Sequence, residues 1–376
     1  MTNRDAVIVG GSRTPFCEWS GGKRGDGSPG GRLASISAED LGSLAIKGAV
    51  AKTQTNPEEI EQVIMGHALQ TSNQAIFGAR HAGLKAGIPQ EVPMLTLNRL
   101  CGSGAQSIVS AAQLIMLEES SVIVAGGMEN LSQAPHVLRG MRNKYKLGRP
   151  PSQGDELSKD MEDYLFTNLK DGICDSFMAQ TSDELCKRKG ISRDEADEYA
   201  AKSHQRTENS IDSGIWKEEI IDVITDSGII TFTEEDHVVR GTSVESLSQL
   251  RTHFGPQSLV TAGNASGVVD GAAAVIVKSK SKAENLKKKL QNYGTKIYLV
   301  KGDLSKEKDI IKIIKFSKSK MKFFDCLINN ASLFENDKLE NFTSKSWENH
   351  ISTNLKAPAF LNFLSRMAAS RIGQKN

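Results

Sequence analysis

The chain has 376 residues, 38% of them hydrophobic and 24% charged, with a formal net charge of +2. That is enough apolar material for two or three domains with real cores, and it excludes a disordered or low-complexity chain. No apolar run is long enough to cross a bilayer, and Met1-Thr2-Asn3-Arg4-Asp5 leads into a strand without a signal-peptide pattern, so no membrane span is expected and the cytoplasm is the default compartment.

Taken in order, Asp5 to Gly10 reads as a short apolar strand, and the Gly/Ser/Arg-rich stretch to Gly31 as a loop. Ala38 to Lys52 has apolar residues at helical spacing, with Ser37 as the N-cap ahead of Glu39 and Asp40. Asn56-Pro57-Glu58-Glu59 starts a turn of helix before the strand Gln62 to Gly66. Ile76 to Ala86 is a small-residue helix, Val92 to Leu97 a buried strand, Ala105 to Leu117 a helix and Ser121 to Ala125 the next strand. This alternation predicts a layered α/β domain. From Leu131 to Gln257 the sequence turns polar, helical and loop-rich, as an insertion between two strands of one sheet would. Ala272 to Val277 then returns as the last strand of that sheet.

Cys17, Cys101, Cys174, Cys186 and Cys326 are scattered, odd in number and without metal spacing, so they support neither a disulfide framework nor a metal site. Cys101 is distinguished by its place, between a strand and a helix. N–H groups of the first helical turn are expected to face its thiol and favour thiolate. Gly102, Ser103 and Gly104 leave room for a bulky thioester. A nucleophile at a helix N-terminus is an acyl-transfer arrangement. A lone cysteine before an apolar helix is ordinarily just a small buried hydrophobe; the company it keeps decides between the two.

Asn98-Arg99-Leu100-Cys101-Gly102-Ser103-Gly104 resembles the nucleophile motif of the thiolases. So do Val7-Ile8-Val9-Gly10-Gly11-Ser12-Arg13-Thr14-Pro15-Phe16, Gly126-Gly127-Met128-Glu129-Asn130, and Thr261-Ala262-Gly263-Asn264-Ala265-Ser266-Gly267 followed by Asp270-Gly271-Ala272-Ala273. The resemblance covers about residues 1–277. It implies a thiolase-like layered α/β domain over 1–130 and 268–278, with a loop domain over 131–267 lying across the CoA. It implies an acyltransferase that moves an acyl group between acyl-CoA thioesters through a Cys101 thioester, with acyl-CoA as its partner and no cofactor required. Met178, Arg240, Leu250, Phe254, Ala262 and Ser266 fall on positions the family uses to hold CoA. Phe177 stands where many biosynthetic thiolases have histidine, a departure that points away from acetoacetyl-CoA and admits a longer or branched acyl chain.

Beyond Val277 the character of the chain changes. Residues 1–277 carry 26 Lys+Arg against 36 Asp+Glu, whereas 278–376 carry 21 against 9, and glycine falls from 30 to 3. A basic tail meeting nucleic acid or an anionic surface is one account. The other is that two unrelated sequences are joined, and the motifs favour it, so no nucleic-acid partner is expected. Asp303, Asn329-Asn330-Ala331-Ser332 and Asn354 resemble an internal piece of a short-chain dehydrogenase/reductase. They imply a partial Rossmann-like βαβα fragment over 279–376, with strands at Lys296–Val300 and Phe324–Ser332 and helices at Lys306–Ser317 and Trp347–Leu355. Asp303 would lie beside the adenine ring, and Asn354 would match the asparagine of that family's catalytic tetrad. The fragment lacks the Gly-rich phosphate turn and a Tyr-x-x-x-Lys, which disfavours NAD(P) binding.

The thiolase motifs Gly-His-Pro, Asn-Glu-Ala-Phe and Cys-x-Gly, which supply the activating histidine, the ordered water and the second cysteine, do not occur in this sequence. Impaired catalysis is therefore expected. The helix after Cys101 is also expected to lose cover at Ile108, Leu114, Ile115 and Leu117. Aggregation, homo-oligomers or pairing with a complete thiolase chain would follow.

Overall fold

The computed structural model describes residues 5–19, 31–141, 161–225, 228–231, 238–280, 300 and 306–320. It divides into two compact units, Met1–Asn285 and Leu286–Asn376.

The first unit is built on β1 (Ala6–Arg13), β2 (Cys17–Glu18), α1 (Ala38–Lys52), β3 (Gln62–Gly66), α2 (Gly78–Lys85), β4 (Met94–Leu97), α3 (Ser103–Met116) and β5 (Val122–Glu129). A polar segment follows, with β6 (His136–Leu138), β7 (Met161–Asp163), α4 (Tyr164–Asn168), β8 (Lys170–Asp171), β9 (Ser176–Phe177), α5 (Met178–Lys189), α6 (Arg193–Asp212), β10 (Val223–Thr225), β11 (Gly228–Ile230) and α7 (Val244–Ser248). The chain then re-enters the sheet as β12 (Val269–Ser279).

The sheet order is β1-β12-β5-β3-β4, with β2 paired to β12. β12 runs antiparallel to both β1 and β5, while β5, β3 and β4 are parallel. Both sheet faces are apolar, because alternate residues of each central strand point to opposite sides. Val63, Met65, Val122 and Val124 pack with Leu41, Ala45 and Ile46 of α1 and Ala79 and Ala82 of α2. Ile64, Ile123, Ala125 and Val277 pack with Ala111 and Ile115 of α3. The result is a three-layer α/β/α arrangement into which β12 returns as an inner strand.

Local chemistry sets these elements. Ser37 caps α1 by accepting the Asp40 N–H at 3.1 Å, with Glu39 and Asp40 in the first turn and Lys52 in the last. Two strands run further than the sequence pattern suggests. β1 continues through Gly10-Gly11 to Arg13, and β5 through Gly126-Gly127 to Glu129, because β12 lies hard against both. A side chain at Gly126 would overlap the Ala273 carbonyl oxygen. The glycines that read as loop residues are there for the close approach of two backbones. β4 begins at Met94 rather than Val92, and α3 at Ser103 rather than Ala105. The turn of helix after Asn56 is a single 3-10 turn, and a second one at Ala75–Phe77 precedes α2.

The polar segment emerges between β5 and β12, which are neighbours in the sheet. Val223 and Ile230 of its β10–β11 hairpin nevertheless join the main core. Arg13 ties the segment to the sheet, with its guanidinium over the Phe16 and Trp216 rings at 4.7 and 4.8 Å and its Nε 3.1 Å from Glu219.

In the second unit, α8 (Glu307–Lys320) fits the helical spacing over Lys306–Ser317 and buries Ile310 and Ile314. Asp303, Asn329, Asn330 and Asn354, with the strands and helix expected around them, lie outside the described residues. No helix among the described residues is long and apolar enough to cross a membrane, and no group of three or more His, Cys, Asp or Glu among them could hold a metal ion.

Candidate active site

Leaving β4 at Leu97, the chain makes a tight turn over residues 98–103 before α3. Asn98 organises it, accepting the Leu100 N–H on Oδ1 at 2.8 Å and donating from Nδ2 to the Ala68 carbonyl at 2.8 Å. Ser103 closes it, accepting the Arg99 N–H at 2.8 Å and donating to the Leu100 carbonyl at 2.6 Å. Leu100 is held at φ 49°, a left-handed conformation that leucine rarely adopts. Cys101 comes next and is exposed, with α3 starting two residues later. The Gly102 and Ser103 N–H groups turn back to the Arg99 and Leu100 carbonyls at 3.1 and 3.0 Å. The expectation that the first free amides face the sulfur is corrected to that extent, because the tightness of the turn uses two of them.

The helix behind the sulfur is covered more fully than expected. Ser103, Ser107, Ala111 and Ile115 line the face of α3 against the sheet, and Ile115 is 1% exposed. Ile108 and Leu114 are partly buried against the same cluster, and Leu117 alone of the four stands out at 68% exposed. The loss of cover predicted for Ile115 is thus overturned, since the helix buries its narrow small-residue face and Ile115 shares it.

Beneath the turn lies a polar cluster that the sequence reading passed over. Glu129, at the end of β5, accepts the Ala68 and Leu69 N–H groups at 2.9 and 3.0 Å. His67 is buried against it, with Nε2 3.4 Å from Glu129 Oε1 and neither ring nitrogen in a well-formed hydrogen bond among the described residues. Glu39 of α1, fully buried, accepts the Ser72 hydroxyl at 3.1 Å. Burial pushes the Glu129 carboxyl up to about 7, against the pull of the two N–H donors and with a further push from Asp270. Burial holds His67 below the usual imidazole range, against the upward pull of Glu39 and the Leu69 backbone. Glu129 stands within a quoted motif and could have been singled out as a charge in an apolar strand. His67 gives no signal in sequence.

The six CoA-assigned positions fall along the polar segment. Met178 opens α5, its N–H donating to Leu169 O at 3.0 Å. Phe177 before it packs on Phe166 and Phe254, centroids 4.6 and 6.0 Å apart, so the residue next to Met178 shares an aromatic group with Phe254. Phe254 also lines an open groove of about 490 Å3 with Gln180, Asp183, Lys187 and Leu259. Arg240 is engaged by Asp212 at 2.9 Å and Glu208 at 3.6 Å. Leu250 and Leu247 pack closely on Gly263, and Ala262 and Ser266 are exposed. Buried Asp197 holds this group together from α6. It pairs with Arg193 at 2.7 Å and accepts Asn264 Nδ2 at 2.8 Å, while Arg193 donates to the Leu247 and Leu250 carbonyls at 2.7 and 3.2 Å. Sequence reasoning missed Asp197 and Arg193 because the partners that give the pair its place, Asn264, Leu247 and Leu250, lie more than fifty residues away.

This sheet, with a cysteine at the head of α3, matches the family model described as thiolase, N-terminal domain, over residues 6–281. The chain belongs to the thiolase family. The human mitochondrial 3-ketoacyl-CoA thiolase is 41% identical over 279 residues, which span 74% of this chain and 66% of the relative. The acetyl-CoA acetyltransferase of Cupriavidus necator is 37% identical over 289 residues, 75% of this chain and 68% of the relative. A crystal structure of human mitochondrial 3-ketoacyl-CoA thiolase in complex with CoA superposes with a TM-score of 0.66 at 39% identity, covering 75% of this chain and 67% of that one. The chain thus spans just under two thirds of the length of the thiolase relative it matches at 41% identity. A second family model, short chain dehydrogenase, matches residues 265–373.

Proposed function

We propose that this chain is a thiolase-type acyltransferase of the acetyl-CoA C-acyltransferase class, in which Cys101 takes an acyl group from acyl-CoA. The sulfur attacks the thioester carbonyl, the new bond joins Cys101 Sγ to the acyl carbon, the bond to CoA breaks, and the thiol proton leaves with the CoA sulfur. The observation that carries this reading is an exposed cysteine on a turn braced by Asn98 and Ser103 at the head of α3. No cofactor besides the CoA thioester is required. Residues 1–130 and 268–278 form the catalytic domain in this reading, and 131–267 the segment that lies over CoA, with Met178, Arg240, Leu250, Phe254, Ala262 and Ser266 as its contacts. Phe177 and its aromatic neighbours favour an apolar acyl chain longer than acetoacetyl.

The carbon–carbon step is impaired in this reading. It needs removal of an α-proton and stabilisation of an enolate, and the thiolase match gives way, inside the chain, to a sequence without the motifs that supply those groups. Incubation with radiolabelled acetyl-CoA and a longer acyl-CoA tests both claims. Label should appear on the peptide containing Cys101, vanish in Cys101→Ala, and be accompanied by little Claisen product. Absence of label refutes the acyl-enzyme, and robust turnover refutes the impairment.

The second reading is an NAD(P)-dependent reductase led by residues 265–373, where the short chain dehydrogenase model matches; the missing Gly-rich phosphate turn and Tyr-x-x-x-Lys count against it. A fluorescence change on titration with NADPH would favour it. A third reading, a non-catalytic fusion that at most binds CoA, is what the same acyl-CoA experiment would leave standing if it gave no label.

A further inference from the structure

Glu129 has no part in the acyl-transfer chemistry above, yet hydrogen bonds relayed through the Ala68 backbone and the Asn98 side chain connect it to Leu100, the residue before Cys101. Its two carboxylate oxygens each take one backbone N–H of the turn after β3, Ala68 on Oε2 and Leu69 on Oε1. The Ala68 carbonyl of the same turn takes the Asn98 amide. The other end of that amide takes the N–H of Leu100, which stands immediately before the nucleophile in its left-handed conformation. The His67 N–H is fixed to the Leu97 carbonyl at 3.0 Å, so the turn is also fastened to the end of β4. A strained residue of this kind persists only where its surroundings hold it, and here Asn98 and Ser103 do so.

We propose that Glu129, with His67 buried against it, is a positioning residue for Cys101: its carboxylate clamps the Ala68–Leu69 turn, and Asn98 transmits the position of that turn to the backbone bearing the sulfur. The assignment rests on Cys101 being the acyl-accepting residue.

Only the carboxylate can accept both N–H groups without presenting a proton to one of them, so protonation weakens one of the two bonds. Besides His67 on the turn itself, the charged groups acting on the pair are Glu39 from α1 and Asp270 from β12. Both are acids, so neither replaces the clamp when Glu129 takes up a proton. The site should therefore be held in its working form on the alkaline side of neutrality and should loosen on the acid side.

The test is the rate of iodoacetamide alkylation of Cys101 in the full chain from pH 5.5 to 8.5, read by mass spectrometry on its own peptide. Exposed Cys174 in the same digest serves as the internal reference. The ratio of the two rates should step by about fivefold near pH 7, the equilibrium worth of one hydrogen bond. Both Glu129→Gln and Asn98→Ala should remove that step, the first by removing the titrating group and the second by cutting its connection to the turn. A step that persists in both variants, or its absence from the wild-type chain, overturns the assignment. Acyl label from acyl-CoA, measured on the same proteins, is a separate readout. A chain that steps but takes no label would retain the positioning role and lose the acyl-enzyme, and a chain that takes label but does not step would do the reverse.

Discussion

Gly104 is where the stability of single residues and their use at the site come apart. It lies in the first turn of α3, and a Cβ built there meets nothing within 4 Å. An alanine would fit without strain and relieve the entropic cost of glycine in a helix, so Gly104→Ala should stabilise the protein by about 0.5–1 kcal/mol in urea denaturation. The sequence reading assigns Gly102, Ser103 and Gly104 the room for a thioester on Cys101, so acylation should slow by about tenfold in the same variant. A variant that is stabilised and takes label at the wild-type rate would show that the space serves no acyl group. Gly126 is the contrasting case, since its missing side chain is filled by the Ala273 carbonyl and no gain is available there.

At the scale of elements, α1 was fully legible, because a Ser N-cap, acids in the first turn and apolar residues at helical spacing all pointed to the same bounds. β1 and β5 were legible only in part, because glycine pairs read locally as loop and become strand only when β12 packs on both. The Cys101 turn was found from its motif, whereas its support by Glu129 and Asn98 was not, since hydrogen bonds between the ends of three parallel strands leave no periodic trace. The same limit applies to α3. Its apolar residues do not show in sequence which of them meets the sheet, and the structure divides them, with Ile115 inside and Leu117 outside. Ile115→Ala should therefore cost about 2–5 kcal/mol and Leu117→Ala no more than about 0.5 kcal/mol in chemical denaturation. Equal losses would mean that α3 sits differently on the sheet.

At the scale of the whole molecule, the first unit has an acidic sequence with a well-filled core, yet part of its exposed apolar surface lies beside one sheet edge. β4 ends the sheet, and its Leu95 is 51% exposed. The turn carrying Ile76 and Phe77, 71% and 54% exposed, is fixed beside β4 by the Ala79 N–H bond to Thr96 Oγ1 at 2.8 Å. An edge strand with unpaired backbone groups and apolar neighbours is a site for pairing with another chain. Light scattering on the purified protein should therefore give a mass above that of a single chain, and Leu95→Lys should shift it toward the monomer by placing a charge on that edge. If the species is an oligomer rather than an aggregate, the mass should be a small multiple of one chain and stay constant on dilution through the micromolar range. A monodisperse wild-type monomer would show that the exposed edge is blunted by the polar groups around it, and that a chain of this family can stand alone without the cover its relatives' length suggests.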